Sequence, residues 1–416
     1  MSQKIQAPRG TSDVLAEAAD ARAGLEAVAR RVLEGSGYRR IETPTFEYTD
    51  LFSRGVGAST DIVQKEMYTF DDGGGRSVTL RPEGTAPICR AYVEHGMHKL
   101  PQPVKLWYLS SFFRKEKPQA GRYRQFWQIG AEALGSDDPA VDAETILLLA
   151  SLLEELEVGG VRLRLGSLGT LAARTAYREE LQAYLRSHAG ELSDEVRARI
   201  DLNPLRAFDA DHEGTRAVMA GAPRLLDRLD ADDAEHFAAV RELLDRADVP
   251  YEVDATLVRG MDYYTRTVFE FTSDKLGAQS GVGGGGRYDG LVAQLGGPPT
   301  PGCGWAAGLE RILLAGPGVR AAPAPVDLYV AFDGPGQRAA AFAVAADARD
   351  ARLNAQLELA GRSRKGQLKQ ADRLAARYVA IVHDGGAVLK DMHAGTQQDV
   401  EAGDVVTRIL RERGMS

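Results

Sequence analysis

Val104 to Gly135, VKLWYLSSFFRKEKPQAGRYRQFWQIGAEALG, constrains the fold of this chain more than any other stretch. Two runs rich in aromatic and apolar residues flank a charged loop holding Pro118 and Gly121, the composition of a β-hairpin. Alternation along a strand puts Tyr108, Ser110, Phe112 and Arg114 on one face of the first run. On the second run Arg124, Gln128 and Glu132 share a face. Gly130 lies between the last two, where a missing side chain clears room for a ligand against the sheet. Such a polar set either faces water or lines a site that supplies partners, because burying charge without one is costly. The hairpin alone leaves both readings open.

A chain of 416 residues is long enough for two or three domains with sizeable cores. Apolar residues make up 44% and charged residues 26%, ordinary for a globular protein and unlike a disordered one. No run of about 18 apolar residues occurs, so no membrane-spanning helix is expected. The start, MSQKIQAPRG, lacks the apolar core of a secretory signal. Two cysteines, Cys89 and Cys303, lack metal-ligand spacing and fit a reducing cytoplasm. The net charge of −8 argues against a general nucleic-acid coat protein but permits a local basic patch.

Apolar positions at helical spacing predict a helix over 18–34, stopped by Gly35-Ser36-Gly37. A strand containing Pro44 follows, placed at an edge by that proline. A short strand is expected at 76–80, a helix at 87–96 and, beyond the hairpin, a helix at 142–156 before the strand VRLRLGSL. Residues 170–250 change character: helical periods recur and strands are nearly absent, as in a helical insertion. Strand-forming sequence returns at 251–274, then a glycine-rich segment, then GCGWAAGLERILLAG (302–316), read as one apolar helix carrying Glu310 and Arg311. GPGVRAAPAPV (316–326) has linker composition. The remaining stretch of about 90 residues suits a small domain, and its alternation of strand and helix implies a parallel or mixed sheet flanked by helices.

Gly281-Val-Gly-Gly-Gly-Gly286 matches G-x-G-x-x-G, but a dinucleotide site needs a strand directly before it and an acidic residue about 20 positions on. Position 306 is Ala. Close backbone approach to a ligand explains these glycines better. There is no P-loop, H-E-x-x-H or G-x-S-x-G element, and seven scattered histidines form no metal cluster. Arg259-Gly-Met-Asp-Tyr-Tyr264 sets two tyrosines and an arginine together, read as a strand whose tyrosines pack or bind. Arg81 to Thr85 is either a plain turn shaped by Pro82 and Gly84 or part of a site. Arg311 is either paired with Glu310 or aimed at an anion.

LRPEGTAP, FFRKEKPQAGRYRQFWQIGAEALG, LVRGMDYYTRTVFEF and GVGGGGRYDGLVAQLGG…GCGWAAGLERILL, in this order, resemble the signatures of histidyl-tRNA synthetases, which are class II aminoacyl-tRNA synthetases. The resemblance extends to PRGTSDV near the start and to GYRRIETPTFEYTDLFSRGVGASTDIVQKEMYTF, similar to the family's dimer-forming motif. RGMDYY looks like its histidine-specific signature. The resemblance implies an α/β (α+β) protein: a class II antiparallel-sheet catalytic domain over 1–325, a helical insertion at 170–250 within it, and an anticodon-binding α/β domain over 326–416.

It also implies a reaction: ATP-dependent ligation of L-histidine to tRNA(His) through histidyl-adenylate, releasing diphosphate and AMP, with Mg2+ carried by the ATP, in a cytoplasmic homodimer free of membranes. By the same resemblance Glu83, Thr85 and Gln128 lie near the α-ammonium group and Glu132 and Tyr264, with Tyr263 close by, around the imidazole, while Gly84 and Arg259 complete the histidine-binding set. A site that hydrogen-bonds a polar side chain rejects apolar analogues, which leave its buried groups unpaired. Arg114 and Arg259 would meet the α-phosphate, and Arg311 the outer phosphates. Glu116 and the loop to Arg122 would contact adenine and the tRNA acceptor end. Positioned cations are the main help such a step needs. Arg124 is left with no role beyond bracing the loop. In the last domain Arg362, Arg364, Lys365, Lys369, Arg373 and Arg377 face only Asp372 within 361–377, a candidate phosphate-contacting patch. The rivals are a catalytically inactive regulatory paralogue of histidine biosynthesis and a module that binds tRNA or histidine without chemistry.

Overall fold

Leu25, Ala29 and Leu33 recur at helical spacing and are fully buried along one side of the first element, α1 (Ala16–Gly35). The structure, a computed structural model, describes residues 4–57, 60–277, 280–317 and 325–414. The chain divides into two compact units, 1–321 and 322–416.

In the first unit α1 leads to β1 (Arg39–Arg40), β2 (Phe46–Tyr48), α2 (Thr49–Gly55), β3 (Tyr68–Asp71) and β4 (Ser77–Leu80). Pro44 falls between β1 and β2 and belongs to neither, correcting the expectation of one strand running through it. Without an N–H it cannot continue a ladder. Next come α3 (Thr85–Glu94), the hairpin β5 (Val104–Phe113) and β6 (Gln125–Leu134), then α4 (Pro139–Glu155) and β7 (Val161–Ser167). Asp138 starts α4 by accepting from the Ala140 N–H, with Pro139 in the first turn where no N–H is needed. Four helices follow: α5 (Leu171–Ser187), α6 (Asp194–Arg199), α7 (Glu213–Ala220) and α8 (Ala231–Arg246). The unit ends with β8 (Glu252–Val253), β9 (Thr265–Ser273), β10 (Gly281–Arg287), α9 (Leu291–Gln294), β11 (Gly302–Gly308) and α10 (Leu309–Ala315).

Eight strands form one sheet in the order β1-β5-β6-β11-β10-β9-β7-β8, while β2-β4-β3 form a small separate sheet. The large sheet is antiparallel from β5 to β7 and parallel only at the pairs β1/β5 and β7/β8. Its odd-numbered hairpin residues, Trp107, Ile129 and Ala131, face a core built with Leu25, Leu33, Ile146, Leu149, Val240 and Leu244 from α1, α4 and α8. The other face carries Tyr108, Phe112, Tyr264 and Tyr288 and packs against the α5–α7 region. Asp142, Arg287 and His236 lock α4, β10 and α8 together. Arg287 Nε donates to Asp142 Oδ1 at 3.0 Å, and His236 Nε2 donates to Asp142 Oδ2 at 2.8 Å. The second imidazole nitrogen, Nδ1, lies 3.3 Å from Arg266 Nη1, which ties the start of β9 to the same cluster.

Two further expectations are corrected here. Residues 302–308 are strand, and the helix begins only at Leu309. A short apolar run cannot be assigned by periodicity alone, and only strand neighbours on both sides decide it. Tyr263 and Tyr264 lie in the loop before β9, not in a strand.

The second unit comprises β12 (Leu328–Phe332), α11 (Arg338–Asp350), β13 (Ala355–Leu357), α12 (Arg364–Arg373), β14 (Tyr378–His383), β15 (Gly386–Asp391), β16 (Thr396–Val400) and α13 (Val405–Glu412). Its sheet, β13-β12-β14-β15-β16, is parallel across the first three strands and antiparallel beyond. Alternate residues of β12 and β14 pack in opposite cores: Leu328, Val330 and Ala380 with α11 and α13, Tyr329, Val379 and Ile381 with α12.

Candidate active site

One rank of residues crosses six strands of the large sheet: Arg164, Glu270, Gly284, Ala306, Gly130 and Tyr108 are successive cross-strand partners. The rank begins with an ion pair, ends with an aromatic ring and is nearly bare between them. The room that Gly130 leaves is filled by the Tyr108 ring, which corrects the expectation of a ligand at that spot. Gly84 makes way for the same ring, since a Cβ there would lie 2.6 Å from Tyr108 Cζ. The bare floor lies further along, at Ala306 and Gly284. The glycines of β10 are likewise needed for their neighbours. A Cβ on Gly284 would stand 2.5 Å from the Phe269 carbonyl oxygen and 3.1 Å from Arg259 Nη1.

Above this floor lies a cavity of about 710 Å³, bounded by Glu83, Gly84, Thr85, Gln128, Tyr263 and Tyr264. It shares Arg114, Gln128, Arg259 and Glu270 with a second cavity of about 250 Å³ that reaches Arg311. Together they form one cleft with a polar end and an arginine-rich end. Glu83 begins α3, accepting the N–H groups of Thr85 at 2.8 Å and Ala86 at 3.1 Å. Its burial pushes its pKa up to about 7, against those hydrogen bonds and Arg114. Glu132 is fully buried and lines neither cavity. It accepts from Thr85 Oγ1 at 2.8 Å and Tyr288 Oη at 2.6 Å, and burial pushes its pKa up to about 8. The Tyr263 and Tyr264 rings pack at a tilt, with centroids 4.7 Å apart and planes at 56°.

Four arginines wall the smaller cavity. Arg114 donates through Nε to the Pro82 carbonyl at 2.9 Å and lies over the Phe126 ring. Glu116 faces Arg122 at 3.3 Å and Arg114 at 3.7 Å. Arg259 Nη1 lies 3.1 Å from Glu270 Oε1. Arg311 donates through Nε to the Gly281 carbonyl. Glu310 is committed elsewhere, to Arg22 at 2.9 Å and the Trp127 N–H at 3.0 Å, so the adjacent pair Glu310–Arg311 is not an ion pair. Gln128, Tyr108 and Arg259 line the cleft, and each carries a buried polar atom with no protein hydrogen-bond partner: Gln128 Oε1, Tyr108 Oη and Arg259 Nε. Buried groups of this kind are rare and call for a ligand or water. An acceptor beside Glu83 suits an ammonium group, and the arginines suit a polyphosphate.

Arg124 holds the loop, donating to the carbonyls of Glu116 at 3.4 Å and Arg9 at 3.3 Å. Three contributors escaped the sequence reading: Glu270, Tyr288 and Arg174 of α5, whose guanidinium donates to the carbonyls of Tyr264 at 2.6 Å and Asp262 at 2.7 Å. A lone Glu in the apolar strand 265–273 was the one local signal, and the other two depend on non-local register. In the second unit the basic run is partly paired by residues outside it, Arg362 with Glu358 at 3.1 Å and Arg364 with Asp333 at 3.4 Å.

Residues 10–312 match the family model described as histidyl-tRNA synthetase. A histidine–tRNA ligase of Halorhodospira halophila is 49% identical over 98% of both chains. Another, from Desulforamulus reducens, is 45% identical over 96% of this chain and 97% of its own. The apo histidyl-tRNA synthetase of S. aureus superposes with a TM-score of 0.80 at 33% identity, covering 98% of this chain and all of that one.

Proposed function

The chain belongs to the histidyl-tRNA synthetase family, and from that premise we propose that it joins L-histidine to tRNA(His) at the expense of ATP. The histidine carboxylate attacks the α-phosphorus of MgATP, and the bond to the β-phosphate breaks with release of diphosphate. A ribose hydroxyl at the 3′ end of the tRNA then attacks the carbonyl carbon of histidyl-adenylate, and AMP leaves. The unpartnered Gln128 Oε1, Tyr108 Oη and Arg259 Nε around one cleft carry this reading.

Gln128, with Glu83, Gly84 and Thr85, receives the α-ammonium group, and Tyr263 and Tyr264, with Glu132 behind Thr85, shape the imidazole pocket. Arg114 and Arg259 hold the carboxylate and α-phosphate as negative charge builds there, which is where fixed cations lower the barrier most. Arg311 holds the outer phosphates, and Glu116 and Arg122 meet adenine and the acceptor end. Mg2+ arrives with the nucleotide. Residues 1–325 serve as the catalytic domain, 170–250 as its insertion and 326–416 as the anticodon-binding domain.

The exposed rings of Phe46, Tyr48 and Phe70 on the small sheet support a homodimer formed through residues 37–70. Sedimentation at micromolar concentration tests it, and a monomer would reject it. Among the described residues no helix is long and apolar enough to cross a membrane; the substrates ATP and tRNA favour a cytoplasmic setting. The regulatory alternative is not favoured, since relatives named as ligases cover nearly the whole chain. Histidine-dependent exchange of pyrophosphate into ATP tests the reaction, and a protein that binds histidine but shows no exchange would overturn it.

A further inference from the structure

Arg259 approaches the cleft from a loop, and a loop does not by itself fix a guanidinium. The geometry points to Glu270 as the positioning residue that holds Arg259 in place for adenylate formation, an inference that rests on the reaction proposed above. Glu270 leaves β9 on the cleft face, directly opposite Arg164 on one side and Gly284 on the other. Its Oε1 lies 3.1 Å from Arg259 Nη1, and its Oε2 lies 3.3 Å from Arg164 Nη1. Both oxygens are therefore committed to arginines. Arg164 in turn donates through Nε to Asp254 Oδ2 at 2.7 Å. Asp254 closes the base of the Arg259 loop by accepting from the N–H of Thr256 at 2.8 Å and its hydroxyl at 2.6 Å. Alternating charges thus run Arg259–Glu270–Arg164–Asp254 and return to the loop that carries Arg259.

Two glycines make the pair possible. A Cβ on Gly281 would lie 3.0 Å from Glu270 Oε1, and one on Gly284 would lie 3.1 Å from Arg259 Nη1. A free carboxylate in a phosphate cleft would repel the nucleotide. Flanked by two arginines, Glu270 has its own charge offset, and it leaves the Nε of Arg259 without a protein partner in a residue that lines the cleft. Glu270 thus acts through Arg259 and is not itself a substrate ligand.

Pyrophosphate exchange with Glu270→Gln, which keeps shape and removes charge, tests this. Displacing a catalytic group by about 1 Å costs on the order of 100-fold in rate. The expected result is a fall of about 100-fold in kcat with both KM values within about twofold of the parent. Glu270→Asp should recover part of the loss. Arg164→Met should lower kcat by about tenfold, and the double variant with Glu270→Gln should be no slower than Glu270→Gln alone, because both act through one guanidinium. Retention of kcat within about threefold in Glu270→Gln overturns the assignment. So does a KM for ATP raised about tenfold, which would make Glu270 a nucleotide contact, or a collapse of the melting midpoint in both single variants, which would make the pair structural. The parent protein separates the two levels: no histidine-dependent exchange in the parent refutes the reaction, whereas an active parent beside an unaffected Glu270→Gln refutes only the role of Glu270.

Discussion

Tyr288 donates its hydroxyl hydrogen to Glu132 Oε2 at 2.6 Å inside a fully buried pair that bridges the chain after β10 and the C-terminal part of β6. Gly304, between them on β11, has no Cβ to obstruct the carboxylate. The pair supports Thr85, which donates to the other oxygen and itself lines the cleft. Replacing Tyr288 by Phe leaves Oε2 buried and unpaired, a defect worth about 1–3 kcal/mol. Urea denaturation should show that loss, and a change under about 0.5 kcal/mol would mean that the hydroxyl carries no weight there.

Stability should depend on pH through the same region. Burial raises Glu132 to about 8 and Glu83 to about 7, while unfolded glutamates titrate near about 4.3. Above the unfolded value the unfolded chain has already released protons that the folded chain still holds. Stability contributed by these groups is therefore complete in acid below about pH 4 and is lost as pH rises through their folded values, first Glu83 and then Glu132. Urea midpoints measured from about pH 5 to about pH 9 should fall with pH, and Glu132→Gln should flatten the upper part of that fall. An unchanged profile in that variant would assign the slope to other groups.

Gly130→Ala should damage the floor because the methyl group would enter the Tyr108 ring, which Gly84 hems in from another side. Overpacking of this kind costs about 1–3 kcal/mol, and the displaced ring should intrude on the bed at Ala306. Both the melting midpoint and histidine-dependent exchange should drop. Tyr108→Phe is the control: it removes a buried hydroxyl that has no protein partner and should keep the fold. Equal behaviour of Gly130→Ala and the parent in both measurements would show that the ring has somewhere else to go.

Strand alternation within the hairpin was legible from the residues themselves. Gln128 and Glu132 share a face because the period of a strand is fixed by the backbone. What filled the space over Gly130 was not legible, since it depends on the pairing of Gly130 with Tyr108. The same limit explains the misreading of 302–308. Its alternating glycines look like a helix start until Glu132 and Tyr288 are seen to occupy the missing side chains' places. Motif resemblance singled out Arg114, Arg259 and Arg311, but their partners Pro82, Glu270 and Gly281 come from register and loop geometry. In the second unit the turn Asp384-Gly385, with Gly385 at φ +98°, carries the hairpin β14–β15, a signal the sequence held and the helix–strand alternation obscured.

The loop carrying Tyr263 and Tyr264 is gripped from two sides, and this sets a last expectation. On one side the Asp262 N–H donates to the Val56 carbonyl at 3.1 Å, just beyond α2. On the other, Arg174 of α5 spans the carbonyls of Asp262 and Tyr264 with its two terminal nitrogens. An arginine can hold two acceptors at once in a fixed plane, whereas a lysine holds them as a point charge with no such plane. Removing the grip should loosen the tyrosine pair without touching the arginines that face ATP. Arg174→Ala is expected to raise the KM for histidine about tenfold while the KM for ATP stays within about twofold, and Arg174→Lys should recover part of the difference. Both constants come from the same pyrophosphate-exchange assay. A parallel rise in the two KM values, or none in either, would show that α5 does not set the histidine pocket, because a loop held elsewhere would leave the tyrosines where they are.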